Sequence, residues 1–299
     1  MLQQKTTRQN WQQQTQLPLR QKRYRTKTIV PAAPVKSKLA RGAVALALVL
    51  SYSLLAGWSV PGLAATADWQ RIHSPQLQYD LQYQVIPSPG YQPGDPVLYV
   101  TDGAWYADPG QLPELIQQLR HENKIRPLLL VLVDARDPAD LSVNRRHQQF
   151  MCNQQYAAFF RDTLLPAIQT QYQPSTARTD RVILGLSFGA INAACFGLLL
   201  PNQFGNLAMQ SPGNKDHLAV LTKLYQQQPL LPLKMSLSFG TLNDNLGAGR
   251  KFHQLLQKKG YAVAYQEVRF GHNWHNWQPL LDDVLLHFFP ATTKASTDN

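Results

Sequence analysis

The sequence predicts an α/β domain built on a mostly parallel central sheet with helices on both faces. Two observations carry that reading. From residue 96 onward, short and nearly continuous apolar runs alternate with segments of helical spacing, and an earlier segment shows the period-two pattern of a half-exposed strand. With 299 residues, 44% of them hydrophobic, the chain is long enough to bury one large core.

Along the chain, Leu77, Tyr79, Leu81, Tyr83 and Val85 alternate with polar residues, which predicts an antiparallel edge strand. The runs PVLYV (96–100), PLLLVLV (127–133), RVILGL (181–186) and NLAMQ (206–210) lack that alternation. Such bare apolar runs suit parallel strands covered on both faces. Helical spacing marks LPELIQQLRHE, YAAFFRDTLLPAIQTQY and INAACFGLLL between them. HLAVLTKLYQQQ and RKFHQLLQKKG precede the last two strands, LKMSLSFG and AVAYQEVRF, and a closing helix is expected near 279–289. There is no internal repeat.

The amino-terminal part follows other rules. Residues 1–41 hold ten Lys or Arg, no Asp or Glu and a Gln-rich opening in which apolar residues keep no period, so a disordered arm is expected. No charge occurs from Gly42 to Ala67, and a basic stretch followed by an apolar one is the order of an export signal. Ala65, Thr66 and Ala67 supply an A-x-A cleavage site. The alternative is a retained anchor, because the 19 residues from Gly42 to Val60 are long enough to span a bilayer. The expected organisation is thus an arm at 1–41, a signal or anchor at 42–67, a catalytic domain at 68–290 and a disordered tail at 291–299. The domain is expected outside the cytoplasm, periplasmic or secreted, or tethered to the membrane through 42–60.

The formal charge of +11 does not mark a nucleic-acid binder. Ten of the 29 basic residues precede the apolar run, which leaves 19 against 18 acidic residues from Asp68 onward. A nucleic-acid partner calls for positive charge on the folded surface. Cys152 and Cys195 are too few and too far apart for a C-x-x-C metal site or a disulfide framework. They either pair after export or stay buried and reduced.

The chemistry is carried by GLSFG at Gly185 to Gly189, a G-x-S-x-G directly after the run RVIL and directly before the helix INAACFGLLL. A serine on a tight strand-to-helix turn is held in a strained conformation with its hydroxyl above the sheet, and the flanking glycines remove side chains that would clash. Ser187 is therefore the candidate nucleophile. The backbone N–H of Phe188, at the start of the following helix, is placed to donate to a developing oxyanion. Five residues alone are a weak signal, so the partners matter. An acid after a later strand and a histidine after the last one are the order this arrangement requires. Asp244, in TLNDN after LKMSLSFG, fits the acid, with an N-cap before the helix around Arg250 as its alternative. His272, in GHNWHNW after the last strand, fits the base. His275 is its competitor, three residues on, where a packed or solvent-facing histidine needs no function. LYVTDGAWY ends a strand in a turn whose Gly103 or Ala104 N–H could supply the second oxyanion donor. Asp102 is first of all a turn former, and ordinary core packing is the alternative for Trp105, so neither is assigned a chemical step.

Taken together, LYVTDGAWY, FFRDTLLPAIQTQY, RVILGLSFGA, PNQFGNLAMQSPG and FGHNWHNW resemble, in that order, the esterase D or enterochelin esterase-like family of α/β-hydrolases. That family includes feruloyl and acetyl esterases, S-formylglutathione hydrolases and mycolyltransferases, and the resemblance runs from about residue 95 to 289. It implies an α/β-hydrolase fold with Ser187 as nucleophile, Asp244 as acid, His272 as base, and oxyanion donors at Phe188 and in the D-G turn. The sequence departs from the family at Ala190, where a second glycine is usual, and at Gln148 and Gln149, where many members carry Arg then Glu.

The expected reaction is hydrolysis of a small-molecule carboxylic ester through an acyl-enzyme, with no cofactor. Transfer of the same acyl group to a sugar or lipid hydroxyl is the rival within catalysis. A non-catalytic binder that stacks ligands on Trp105, Trp274 and Trp277 is the rival outside it. Those tryptophans, together with Arg145 or Arg146, are the candidate substrate contacts.

Overall fold

The computed structural model describes residues 68–291, which belong to one compact unit. The arm at 1–41, the signal or anchor at 42–67 and the tail from 292 lie outside the described residues. Ala291, assigned to the tail from sequence, donates its N–H to the Lys124 carbonyl at 3.1 Å.

Eight strands form one sheet in the order β1-β2-β4-β3-β5-β6-β7-β8. They are β1 (Gln70–Ser74), β2 (Tyr79–Pro87), β3 (Val97–Thr101), β4 (Leu129–Asp134), β5 (Arg181–Leu186), β6 (Asn206–Gln210), β7 (Lys234–Gly240) and β8 (Ala262–Val268). β1 and β2 pair antiparallel, and β2 runs antiparallel to β4. Every other pairing is parallel. This is the mostly parallel sheet of an α/β-hydrolase fold. One detail differs from expectation: β2 is not the edge. β1 covers it, and QRIHS, with only five residues and four of them polar, is too short to announce a strand.

The helices are α1 (Gly103–Ala107), α2 (Leu112–His121) and α3 (Arg146–Gln149). A fourth, α4, has three parts, Gln154–Phe159, a π-helical turn Phe160–Leu164, and Leu165–Tyr172. They are followed by α5 (Phe188–Leu199), α6 (Lys215–Gln227), α7 (Leu246–Lys259), α8 (Trp274–Trp277) and α9 (Leu281–Phe288). The π-helical turn sits where Pro166 cannot donate and its ring would crowd the carbonyl four residues back, so the ladder widens there.

Alternate residues of the central strands feed two separate cores. Tyr99, Val131 and Ile183 join Phe160, Phe196, Tyr225 and Phe252 from α4 to α7 on one face. Leu98, Val100, Leu130 and Leu184 join Ile116, Leu285 and Phe288 from α2 and α9 on the other. Burial on both faces explains the unbroken apolar runs. Cys152, just after α3, and Cys195 of α5 form a disulfide. The segment after β4 is thereby tied to the helix that follows Ser187.

Candidate active site

The carboxyl ends of β3, β5, β6, β7 and β8 converge on Ser187. At the end of β5 the chain must turn within one residue from strand to helix, and Ser187 takes φ 52° and ψ −121° to do so. A serine there is strained, since only glycine tolerates positive φ without cost. The bend is held by Ser187 N–H donating to the Gln210 carbonyl at 2.8 Å and Gly213 N–H donating to the Ser187 carbonyl at 2.9 Å. Gly185 and Gly189 are required by space. A Cβ on Gly185 would lie 2.2 Å from the Gly189 carbonyl oxygen, and one on Gly189 would lie 2.6 Å from Asp102 Oδ2.

His272, in the loop after β8, approaches Ser187 Oγ through Nε2 at 2.8 Å. Its Nδ1 lies 2.6 Å from Asp244 Oδ1. Asp244 is buried in the turn after β7, flanked by Asn243 and Asn245 at φ 56° and 36°. It is not the N-cap: Asn245 holds that position, and the carboxylate turns inward. Asp244 Oδ2 accepts from Gly240 N–H at 2.6 Å, Ser211 Oγ at 2.6 Å and Asn276 Nδ2 at 3.1 Å. Burial alone would raise the Asp244 pKa, but the hydrogen bonds from His272, Ser211 and Gly240 outweigh it and hold the carboxyl below its ordinary range. An ionised carboxylate aimed at Nδ1 favours the tautomer whose Nε2 can accept a proton from the serine.

Two helix starts supply N–H groups. The first N–H groups of a helix have no acceptor within it, which leaves those of Phe188 on α5, and of Gly103 and Ala104 on α1, as candidate oxyanion donors. Asp102, which caps α1 in the left-handed region (φ 59°, ψ 38°), is 4% exposed. Its Oδ2 accepts from Arg146 Nη2 at 2.9 Å, and its Oδ1 lies 2.9 Å from Arg146 Nε.

The candidate substrate contacts separate. Arg145 pairs with Asp137 and lies 4.2 Å over the Tyr79 ring. Its neighbour Arg146 is the one that faces inward, 4.9 Å over the Trp105 ring. Trp277 is not a stacking surface. It is 1% exposed, packs edge-on to His272 at 5.0 Å and donates Nε1–H to Ser211 Oγ at 2.9 Å. Trp274 is partly buried, edge-on to Tyr106 and to Trp277, each at 5.6 Å. His275 is exposed and lies against Phe270. His147 and His217 flank the Phe188 ring at 5.4 and 4.8 Å.

Sequence reasoning passed over Ser211 and Asn276, which brace Asp244, and Asp102 and Arg146 as a pair. Ser211 follows a buried parallel strand directly, the position where functional groups collect in such sheets, and that was the available signal. Nothing in the pattern separates Arg146 from Arg145. Among the described residues no three His, Cys, Asp or Glu side chains gather in a way that could hold a metal ion.

Residues 74–288 match a family described as Esterase, Putative esterase. A Bacillus subtilis protein named Uncharacterized protein YjcH is 25% identical over 198 residues, 63% of this chain and 82% of its own length. The iron(III) enterobactin esterase of Escherichia coli K12 is 31% identical over 117 residues, 39% of this chain and 28% of that protein. In structure, the chain is similar to the enterobactin esterase of Shigella flexneri, with a TM-score of 0.69 and 22% identity, over 78% of this chain and 61% of that one. It is also similar to a ferulic acid esterase of Anaeromyces mucronatus, with a TM-score of 0.60 and 16% identity, over 76% of this chain and 91% of that one. At these identities the structural likenesses establish the fold. The chain spans under a third of the Escherichia coli enterobactin esterase and about three-fifths of the Shigella one.

Proposed function

The chain belongs to the Putative esterase family, and from that premise we propose that it hydrolyses carboxylic esters through a Ser187–His272–Asp244 triad and an acyl-enzyme. The observation that carries this reading is the unbroken run of contacts from Ser187 Oγ through His272 to Asp244, at 2.8 and 2.6 Å. In the first step His272 Nε2 takes the hydroxyl proton as Ser187 Oγ attacks the ester carbonyl. The negative charge collects on the carbonyl oxygen, where Phe188 N–H and a donor from the Gly103–Ala104 turn receive it. Asp244 stabilises the imidazolium, which then protonates the leaving alcohol. Water attacks the acyl-enzyme by the same route and frees Ser187.

The proposed substrate is an ester that carries an aromatic group. Support comes from the names of the relatives, enterobactin and ferulic acid esterases, and from the rings of Trp105, His147, Phe188 and His217 near the nucleophile. Residues 42–67 are proposed as an export signal or anchor that places the domain outside the cytoplasm. The Cys152–Cys195 disulfide supports that placement, because such bonds persist in oxidising compartments.

The reading is tested by incubating the full-length chain with aryl and alkyl esters and separating the products. Release of free acid by the wild type, falling by about 10⁶-fold in kcat in Ser187→Ala, is the expected result. Accumulation of acylated alcohol in place of acid would move the assignment to acyl transfer.

A further inference from the structure

We infer that the Asp102–Arg146 ion pair positions the oxyanion hole, locking the turn at Gly103–Ala104 against the strand-to-helix turn that carries Ser187. This rests on the esterase reading above. The two N–H sources of the hole come from different parts of the chain, one following β3 and one following β5, and their separation is set by whatever joins the two strand ends. Thr101 makes one link, with its Oγ1 donating to the Leu184 carbonyl at 3.3 Å. Asp102 makes another, beyond the β3–β5 ladder itself. Its carboxylate lies against Gly189, so closely that a Cβ there would come within 2.6 Å of Oδ2. Arg146 donates to the carboxylate through Nη2, with Nε at ion-pair distance from Oδ1, and the same Nη2 also lies 3.4 Å from the Leu186 carbonyl, directly before Ser187.

Arg146 is itself constrained. Its guanidinium stacks over the Trp105 and Phe150 rings at 4.9 and 5.6 Å, and the disulfide at Cys152 pins the following turn to α5. One fork therefore touches the D-G turn, the serine turn and the segment after β4 together. Removing a buried pair from water costs about as much as its attraction returns, so net stability is a poor account of such a pair. Burial pushes the Asp102 carboxyl up to about 6 even with Arg146 pulling the other way. The other charged or titratable groups that act on it or feel its charge are Asp134 and Arg136 at the end of β4, Tyr106 of α1 and Tyr156 of α4. What the pair provides is geometry: one planar guanidinium hydrogen-bonds both the Asp102 carboxylate and the Leu186 carbonyl through Nη2, with Nε close beside the carboxylate, a spacing that a lysine reproduces poorly.

The test uses the full-length chain and the variants Asp102→Asn, Arg146→Gln and Arg146→Lys. Sites are counted by titration with a fluorophosphonate, and kcat and KM are measured on one aryl ester. Affinity for an aryl trifluoromethyl ketone, whose hydrated carbonyl becomes an oxyanion on Ser187, is measured beside them. Asp102→Asn and Arg146→Gln are expected to lower kcat per titrated site by about 30- to 100-fold, with KM within about threefold. Ketone affinity should fall in parallel, and Arg146→Lys should lose less. Per-site kcat within about twofold of wild type, or a change in KM alone with ketone affinity intact, overturns the inference. If the neutral variants do not fold, Arg146→Lys decides, since it keeps a cation opposite the carboxylate: parallel loss of kcat and ketone affinity supports the pair's role, and undiminished kcat overturns it. A wild type that neither labels nor turns over would sink the esterase reading and this inference with it. An active wild type with unimpaired variants sinks the inference alone.

Discussion

Around Asp244, each polar contact serves the orientation of one imidazole. Ser211 Oγ donates to the carboxylate and accepts from Asn276 Nδ2 and Trp277 Nε1, at 3.0 and 2.9 Å. Ser211→Ala removes that acceptor and leaves the buried indole N–H without its partner, so we expect a loss of about 1–3 kcal/mol in urea unfolding, with kcat falling as His272 loses its fixed orientation. Asp244→Asn should keep the fold and lower kcat by about 10⁴-fold, because the amide favours the wrong histidine tautomer. Asp102 gives a pH dependence of defined sign. Its folded pKa is raised from 3.8 to about 6, so the protein binds this proton more tightly than the unfolded chain does. The stability this carboxyl contributes is present in full below its unfolded value and is lost as pH rises through about 6. The melting temperature of wild type relative to Asp102→Asn should therefore decline between about pH 4 and pH 7. A difference that grows over that range would reverse the sign of the assignment.

At the level of elements, the parallel core was legible because strands buried on both faces need no polar residues, as in RVILGL and NLAMQ. β1 was not, since five residues with two polar faces carry too little periodicity. The break in α4 was foreshadowed only by Pro166, whose effect depends on whether the helix bends, bulges or stops. At the site, Ser187, Asp244 and His272 could be named because each sits just past a recognisable strand. Side-chain direction was harder. Trp274 and Trp277 share a helical spacing, yet Trp277 is buried against His272, and of two adjacent arginines only Arg146 turns inward. Those choices depend on tertiary packing that no local pattern encodes. The disulfide closes a separation of 43 residues. Its removal in a Cys152→Ser, Cys195→Ser double variant is expected to cost about 2–4 kcal/mol by chemical denaturation. Gly189→Ala should be worse for function than for folding, because the added methyl must displace the Asp102 carboxylate or the Thr101 hydroxyl.

For the whole molecule, charge and chemistry are separated along the chain. Ten of the 29 basic residues lie in the first 41 positions, and the remainder carries 19 against 18 acidic residues. A form that starts at Asp68 should elute from heparin at low salt, whereas the full-length chain should be retained. Retention of both would place the basic patch on the catalytic domain. The central claim concerns Ser187, and the most direct measurement is labelling of the full-length chain with a fluorophosphonate, followed by peptide mass spectrometry. We expect a single adduct on Ser187 that is lost in His272→Ala and kept in His275→Ala. A folded protein that takes no label, or takes it at another residue, would contradict the proposed mechanism.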